Sequence, residues 1–222
     1  MLRQFLWKIW SFLPEKIKVP LNVWRRASFW RGANVIFVHV PKVAGTSISH
    51  SLYGRSLGHI RAKDIIRYGP RNIQEIYSFA FVRNPWDRAV SAYHFAKSGG
   101  SNIAGMTNAH LYKHDDFSDF SSFCLWLSKQ NLSELDPVFR SQSDFVTNDE
   151  GEVIVDFLGK LEFLDSDLKR FNLATGLNLS VEKMNRSDRD VYQNYYSSKS
   201  LIDLIGEIYK EDVRNFGYRF DG

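Results

Sequence analysis

Residues 41–47 combine a lysine, small residues and two hydroxyl groups immediately after a short apolar run. A lysine supplies a mobile positive charge, and the backbone amides at the start of a helix direct hydrogen-bond donors to the same place. Hydroxyl groups add further donors, so the combination is typical of a site that holds an anion, usually a phosphate. The residues that we predict to form this site are Lys42, Ala44, Gly45, Thr46 and Ser47.

A second candidate anion site lies in the segment FVRNPWDRAVSAY, residues 81–93. Arg83 follows another apolar run, and Ser91 lies about two helical turns further along the chain. A guanidinium binds phosphate through two parallel hydrogen bonds, and a serine hydroxyl adds another donor. Taken alone, Arg83 would more simply form a structural salt bridge. The anion site upstream favours a role for Arg83 and Ser91 in binding a second phosphate.

Two strands must carry these groups to one edge of a sheet. Residues 35–38 and 76–82 are apolar runs, and each is followed by a proline that cannot extend a central strand. A helical pattern comes next in both cases, over residues 48–53 and 86–97. Strands that alternate with helices predict a parallel sheet flanked by helices. Ligands of such α/β folds bind at the carboxyl ends of the strands.

The rest of the chain contains further elements and one long loop. Residues 98–116 are rich in Gly, Ser and Asn and lack periodicity, which indicates a loop. Hydrophobic spacing, caps and turn residues predict helices over residues 62–68, 117–130, 165–176 and 197–216, a hairpin over residues 145–157, and a strand over residues 161–164.

Composition indicates one globular domain, residues 34–222, behind a basic segment, residues 1–33. The chain has 222 residues, of which 44% are hydrophobic and 24% are charged, as in ordinary globular proteins. Its net charge of +4 is uneven: residues 1–33 hold seven bases and one acid, and the remainder holds 22 bases and 24 acids. The charge therefore does not indicate a nucleic-acid partner. Cys124, the single cysteine, is predicted to be a buried structural thiol.

The basic segment has an amphipathic beginning. Apolar residues recur at helical spacing at Leu2, Phe5, Leu6, Ile9 and Leu13. This run is too short to span a bilayer and lacks the pattern of a signal peptide. Two interpretations stay open: a helix that lies on an anionic membrane surface, and a helix that packs on the domain or on a second subunit. We assign no regular structure to residues 14–33, which contain Pro14 and Pro20.

The two anion motifs resemble those of a known family. A Walker-type loop has its lysine after the last glycine, whereas Lys42 precedes the small residues. Residues 39–47, HVPKVAGTS, are similar to the 5′-phosphosulfate loop of sulfotransferases, and residues 81–93 are similar to their 3′-phosphate motif. The resemblance extends over residues 34–220 and is closer to the branch that contains heparan 2-O-sulfotransferase, other carbohydrate sulfotransferases and bacterial relatives. It departs from the pattern at Val43 and Ala44, where relatives often have Thr-Gly.

This resemblance implies a three-layer α/β fold of the P-loop-like type, with a central parallel β-sheet flanked by helices. It also implies 3′-phosphoadenosine 5′-phosphosulfate (PAPS) as the donor and PAP as the product, because this nucleotide carries phosphates at two separated positions. Sulfuryl transfer would proceed in line, and Lys42 would offset the negative charge that grows on the leaving phosphate. The reaction requires no metal, and the sequence shows no convincing spacing of metal ligands.

The acceptor hydroxyl needs a base. His59 is our candidate, because histidine titrates near neutral pH and the resemblance implies a base histidine after the first helix. A loop residue without catalytic function is the simpler interpretation of His59. Glu162 is the alternative base, and a buried salt bridge is the simpler interpretation of that carboxylate. Arg186 is a candidate ligand of the nucleotide or of an anionic acceptor, unless it is an ordinary exposed arginine.

The favoured function is PAPS-dependent O-sulfation of a carbohydrate or glycan-like acceptor. A P-loop nucleotide kinase, a non-catalytic nucleotide-binding module, and a membrane-peripheral adaptor that acts through residues 1–33 are the alternatives. The resemblance to bacterial relatives indicates a cytoplasmic enzyme, in contact with the inner membrane surface if residues 1–33 bind lipid. A sugar, a lipid-linked glycan, a small alcohol and tyrosine stay open as acceptors, in that order, and so does the oligomeric state.

Overall fold

A parallel three-stranded sheet forms the centre of the protein. A computed structural model describes residues 13–100, 106, 108–181 and 189–221. The strands are β1 (Ile36–Phe37), β2 (Ser78–Val82) and β3 (Phe157–Lys160), in the spatial order β1-β2-β3. Ile36 lies opposite Ser78, and Phe79 lies opposite Phe157.

Helices precede, connect and follow the strands. In chain order they are α1 (Glu15–Ala33), α2 (Gly45–Tyr53), α3 (Ala62–Tyr68), α4 (Pro85–Lys97), α5 (Phe120–Leu127), α6 (Ser143–Val146), α7 (Leu164–Thr175), α8 (Lys199–Ile208) and α9 (Lys210–Phe216). Burial of Phe79, Ala80, Phe81 and Val82 explains why β2 is an uninterrupted apolar run: neighbouring elements cover both faces of a central parallel strand. The predicted α/β fold with a central parallel sheet and flanking helices is confirmed.

The N-terminal segment is more regular than the sequence suggested. Residues 14–33, to which we assigned no regular structure, contain the 19-residue helix α1 with Pro20 inside it. Val23, Ala27 and Trp30 share one face of α1 and are buried. Their burial explains how tertiary packing overrides the local penalty of a proline in a helix. Within the described residues, none of the helices has both the length and the hydropathy that crossing a bilayer requires.

Three other local predictions hold only in part or have to be corrected. The predicted hairpin over residues 145–157 reduces to one antiparallel bridge between Thr147 and Val153, and its first residues belong to α6. The Asn148 side chain accepts hydrogen bonds from the amides of Glu150 and Glu152, so the turn closes locally without long strands. The strand predicted over residues 161–164 lies instead at β3, just before these residues. Residues 161–163 form a 3₁₀ turn that leads into α7, and Asp167 of α7 accepts the Lys160 amide at 2.8 Å.

The last predicted helix is divided in two. Residues 197–216 contain α8 and α9, which meet at Tyr209. Tyr209 is fully buried, and its hydroxyl donates a 2.9 Å hydrogen bond to the Phe139 carbonyl oxygen. The hydrophobic periodicity continues through both helices, so the sequence pattern alone does not reveal this break.

Candidate functional site

The loop between β1 and α2 has an unusual backbone. Lys42 and Ala44 have φ values of 70° and 58°, in the left-handed region that residues other than glycine rarely adopt. Ala44 is the N-cap of α2, so the left-handed turn directs the first amides of the helix, at Gly45 and Thr46, out of its N-terminus. Such a turn, followed by a helix start, is a recurrent anion-binding arrangement.

Gly45 is required in this loop because of a close neighbour. A Cβ atom at Gly45 would lie 2.0 Å from Cδ2 of His39. The buried His39 ring therefore packs directly on the backbone at the start of α2. Side chains at Thr46 and Ser47 stay partly exposed on the first turn, where their hydroxyls can reach a ligand.

The two anion motifs meet at the carboxyl edge of the sheet. Arg83 follows β2, and its Nη1 donates a 3.3 Å hydrogen bond to the Lys42 carbonyl oxygen in the loop after β1. The Gln142 side chain fixes the Arg83 backbone by accepting its amide at 2.9 Å and donating to its carbonyl oxygen at 2.8 Å. The structure thus brings together Lys42 and Arg83, which are 41 residues apart in sequence.

One face of α4 connects the two motifs. Asp87, Ser91 and Phe95 are spaced four residues apart on α4, so they lie on the same side of the helix. Asp87 accepts a 2.7 Å hydrogen bond from Nε of Arg83, and the Phe95 ring lies 4.2 Å from Nζ of Lys42. Ser91, which is 8% exposed, therefore lies on this face between the contacts of Arg83 and Lys42.

Arg189 is a third cation of the site that sequence reasoning missed. The Arg189 side chain is 9% exposed and forms an ion pair with Asp87, which also pairs with Arg83. Asp87 therefore holds two guanidinium groups side by side. In this segment the sequence predicts Arg186 as a ligand, and that residue lies outside the described residues. The basic character of residues 186–189 was a signal, but it does not distinguish the two arginines.

The clustered positive charge affects Lys42. Burial, together with the charges of Arg83 and Arg189, lowers the pKa of Lys42 to about 8. The Lys42 ammonium lies over the Phe95 ring, a contact that stabilises the charged form of the lysine only weakly. A bound phosphate would supply the missing negative charge and raise this pKa.

His59 lies in the loop after α2, next to the anion loop. Its Nδ1 donates a 2.8 Å hydrogen bond to the His39 carbonyl oxygen, because a carbonyl oxygen can only accept. Nε2 of the neutral ring is then the atom with a free lone pair. His59 is exposed at the protein surface, but the protein atoms around its ring desolvate the charged form and lower its pKa below 6.5. The hydrogen bond to His39 opposes this shift, and the Arg88 charge adds to it.

The loop that carries His59 is fixed from two sides. Ser49 donates to the Arg55 carbonyl oxygen and accepts the Leu57 amide, which ties the loop to α2. Arg26 of α1 donates to the Leu57 carbonyl oxygen from the other side. The His39 and His59 rings are 4.3 Å apart at their centroids, so His59 also packs against the segment that follows β1.

Arg88 places a buried positive charge beneath the anion loop. The side chain is fully buried and donates to the carbonyl oxygens of Pro41, Val138 and Arg140. Its guanidinium carbon lies 5.3 Å from the centre of the Tyr209 ring. Since these partners carry no formal charge, they leave its positive charge in place close to the loop.

Glu162 has two structural partners. One carboxylate oxygen accepts the Asn84 amide at 2.6 Å, and the other accepts the Tyr218 hydroxyl at 2.9 Å. Both contacts hold the turn after Arg83, where Asn84 caps α4. This arrangement favours a positioning function for the alternative base.

The other candidate groups lie apart from this chemistry or have packing partners. Nε2 of His94 is 2.8 Å from the Tyr195 hydroxyl. Cys124 is buried, as predicted, and burial raises the pKa of its thiol to about 12. Across the described parts of the chain, the His, Cys, Asp and Glu side chains form no cluster of three or more suited to a metal ion.

Comparison with known proteins agrees with this geometry. A family model described as "Sulfotransferase family" matches residues 30–219, which include both anion motifs and every element from β1 to α9. Neither the curated proteins nor the solved structures that were searched gave a match. Because the family model covers most of the chain, this protein belongs to the sulfotransferase family.

Proposed function

We propose that this enzyme transfers the sulfuryl group of PAPS to a hydroxyl of a carbohydrate or glycan-like acceptor. The observation that carries the proposal is the contact between Arg83 Nη1 and the Lys42 carbonyl oxygen. It brings two cationic motifs together at the carboxyl edge of the sheet, the region that we call the proposed donor cleft. A nucleotide with phosphates at two positions needs such a pair of sites. Sulfuryl transfer itself follows from the family.

The donor would bind across the two strand ends. Its 5′-phosphosulfate would accept hydrogen bonds at the start of α2, from the backbone at Ala44 and Gly45 and from the Thr46 and Ser47 hydroxyls. Lys42 would reach the same group with its ammonium.

The 3′-phosphate would lie on the α4 face. Arg83 and Ser91 are its proposed ligands, and we add Arg189, because Asp87 already holds its guanidinium beside that of Arg83. Asp87 would then hold both guanidinium groups in position, and their remaining N–H groups would donate hydrogen bonds to the phosphate. Arg186 stays a proposed contact to the nucleotide or to an anionic acceptor.

The reaction would be an in-line displacement at sulfur. The acceptor oxygen forms a new S–O bond as the bond from sulfur to the bridging phosphate oxygen breaks, and PAP leaves with the negative charge. Lys42 would stabilise that charge as it develops, an effect that is largest in a desolvated site. His59 would take the acceptor proton at Nε2, since Nδ1 is already engaged by His39. Glu162 remains the alternative base, although both of its oxygens have partners.

The acceptor and location follow from the resemblance to the carbohydrate and heparan 2-O-sulfotransferase branch. A sugar hydroxyl is the first choice, followed by a lipid-linked glycan. We place the enzyme in the cytoplasm, as in the bacterial relatives, with residues 1–33 as a peripheral membrane contact. A nucleotide kinase or a non-catalytic nucleotide-binding module is the outcome to expect if the transfer experiment fails.

The decisive experiment incubates the protein with sulfur-labelled PAPS and a panel of glycans and small alcohols. We expect label on a glycan hydroxyl without added metal, and its loss in Lys42→Ala. Lys63→Ala is a matched control, because Lys63 pairs with Asp149 away from the cleft. PAP binding is measured in parallel by calorimetry. Binding of PAP without transfer to any acceptor would favour the non-catalytic module, and transfer of labelled phosphate from ATP would favour the kinase.

His59→Ala distinguishes the two candidate bases. We expect this variant to bind PAP as the parent does and to lose most turnover. Undiminished turnover would move the base assignment to Glu162.

A further inference from the structure

A stripe of apolar side chains lies uncovered on the outer face of α1. Ile17, Leu21 and Trp24 are spaced four and three residues apart, so they share one face of the helix. Their exposed fractions are 41%, 43% and 60%. Val23, Ala27 and Trp30 point the opposite way and are buried in the domain. The helix is thus apolar on two faces, and the domain needs only one of them for packing.

Charge on the same helix identifies what could cover the stripe. From Glu15 to Ala33 the chain has five bases and a single acid, Glu15. Lys16, Arg25 and Arg31 are exposed beside the stripe, whereas the chain beyond residue 33 has more acids than bases. Exposed apolar side chains with flanking bases are the chemistry of a helix that lies on an anionic bilayer.

The sequence before α1 has the same character. Residues 1–12 lie outside the described residues and lead directly into α1. They contain Trp7 and Trp10 together with Arg3 and Lys8, and no acid. Tryptophan, which is also the most exposed member of the stripe, prefers the interface between lipid and water.

We propose that the stripe of Ile17, Leu21 and Trp24 docks this sulfotransferase on an anionic lipid surface. Trp24 and Leu21 enter the boundary between headgroups and acyl chains, and the bases beside them face the lipid phosphates. Because Arg26 ties α1 to the loop before His59, docking holds the whole domain at the membrane and not a detached tail. The inference narrows the membrane contact proposed above for residues 1–33 to one face of α1 and rests on that part of the proposed function, but it does not depend on the identity of the donor or acceptor.

The test measures co-sedimentation of the full chain with phosphatidylcholine vesicles, with and without phosphatidylglycerol. We expect binding to the anionic vesicles, weaker binding at high salt, and a blue shift of tryptophan fluorescence. The triple variant Ile17→Ser, Leu21→Ser, Trp24→Ser should partition into anionic vesicles about tenfold less or weaker still, since three side chains lose their apolar area.

A matched variant separates the stripe from general surface hydrophobicity. Leu111, Leu125 and Leu173 are exposed on other elements, and their change to serine should leave vesicle binding unchanged. Circular dichroism and PAP binding check that both variants fold.

Two results would overturn the proposal. Vesicle binding that survives the stripe variant would assign the contact to residues 1–12 alone. The second result is a parent protein that does not bind vesicles but forms dimers in sedimentation velocity, while the stripe variant is monomeric. This result would show that a second copy covers the stripe. Neither result bears on sulfuryl transfer, which is measured separately on soluble acceptors.

Discussion

The proposed donor cleft and the outer face of α1 are both basic, but they use charge in different ways. Around the anion loop, Lys42, Arg83 and Arg189 are largely buried; Asp87 holds the two guanidinium groups, and their charges act on the ammonium of Lys42, which lies over the Phe95 ring. On α1, Lys16, Arg25 and Arg31 are exposed to water and salt. Buried charges interact strongly and shift one another's pKa values, whereas exposed charges are screened within about 10 Å. A catalytic site and a surface that attracts anionic lipid can therefore both be rich in Lys and Arg.

Removing one lysine from each region is the strongest test of this contrast. Lys42→Ala should lower kcat for sulfuryl transfer by about a hundredfold or more, because a preorganised charge at the leaving oxygen is lost. Lys16→Ala should leave kcat unchanged, since that ammonium is exposed on α1. Steady-state rates with saturating PAPS measure both. Equal activity of the two variants would mean that the positive charge of Lys42 does not contribute to catalysis.

Two glycines, one at each end of α2, test how tightly the anion loop packs against its neighbours. Gly45→Ala should lower kcat/KM by about a hundredfold, because the new methyl group would collide with the His39 ring and displace that residue. The His39 carbonyl oxygen, which accepts the hydrogen bond from His59, would move with it. Gly54→Ala, at the other end of the same helix, meets no atom within 4 Å and should cost about 1 kcal/mol of stability through its positive φ alone. Rates and urea unfolding of both variants make the comparison. Normal activity in Gly45→Ala would show that the loop tolerates movement.

The cleft also predicts a bell-shaped pH profile. His59 must be neutral to accept a proton, and its pKa lies below 6.5, so kcat/KM should rise with pH in that range. Lys42 must be charged, and its pKa is about 8, so kcat/KM should fall as the pH passes that value. Arg189→Gln removes a neighbouring positive charge and should move the falling limb to higher pH. A falling limb that stays in place would mean that another group controls it.

The position of Lys42 beside Arg83 could be predicted, because it follows from strand order. Lys42 and Arg83 each follow an apolar strand, and parallel strands bring their carboxyl ends to one edge. Arg189 could not be predicted, because its place beside Arg83 depends on a contact with Asp87 that spans 102 residues. The helix α1 was missed for a related reason. Pro14 and Pro20 are local signals against a helix, whereas the burial of Trp30 is a tertiary effect.

The smallest predicted effect concerns Ala44. This residue has φ of 58°, which costs an L-residue roughly 1–2 kcal/mol. Ala44→Gly should therefore raise the free energy of unfolding by about 1 kcal/mol, after allowing for the greater entropy of unfolded glycine. Ala92→Gly, in the interior of α4, should lower it by a similar amount or more. Urea unfolding of both variants measures the difference. A higher free energy of unfolding for Ala44→Gly and a lower one for Ala92→Gly would locate strain in the anion loop. A lower free energy of unfolding for both variants would mean that packing of the Ala44 methyl group stabilises the protein more than the strained backbone destabilises it.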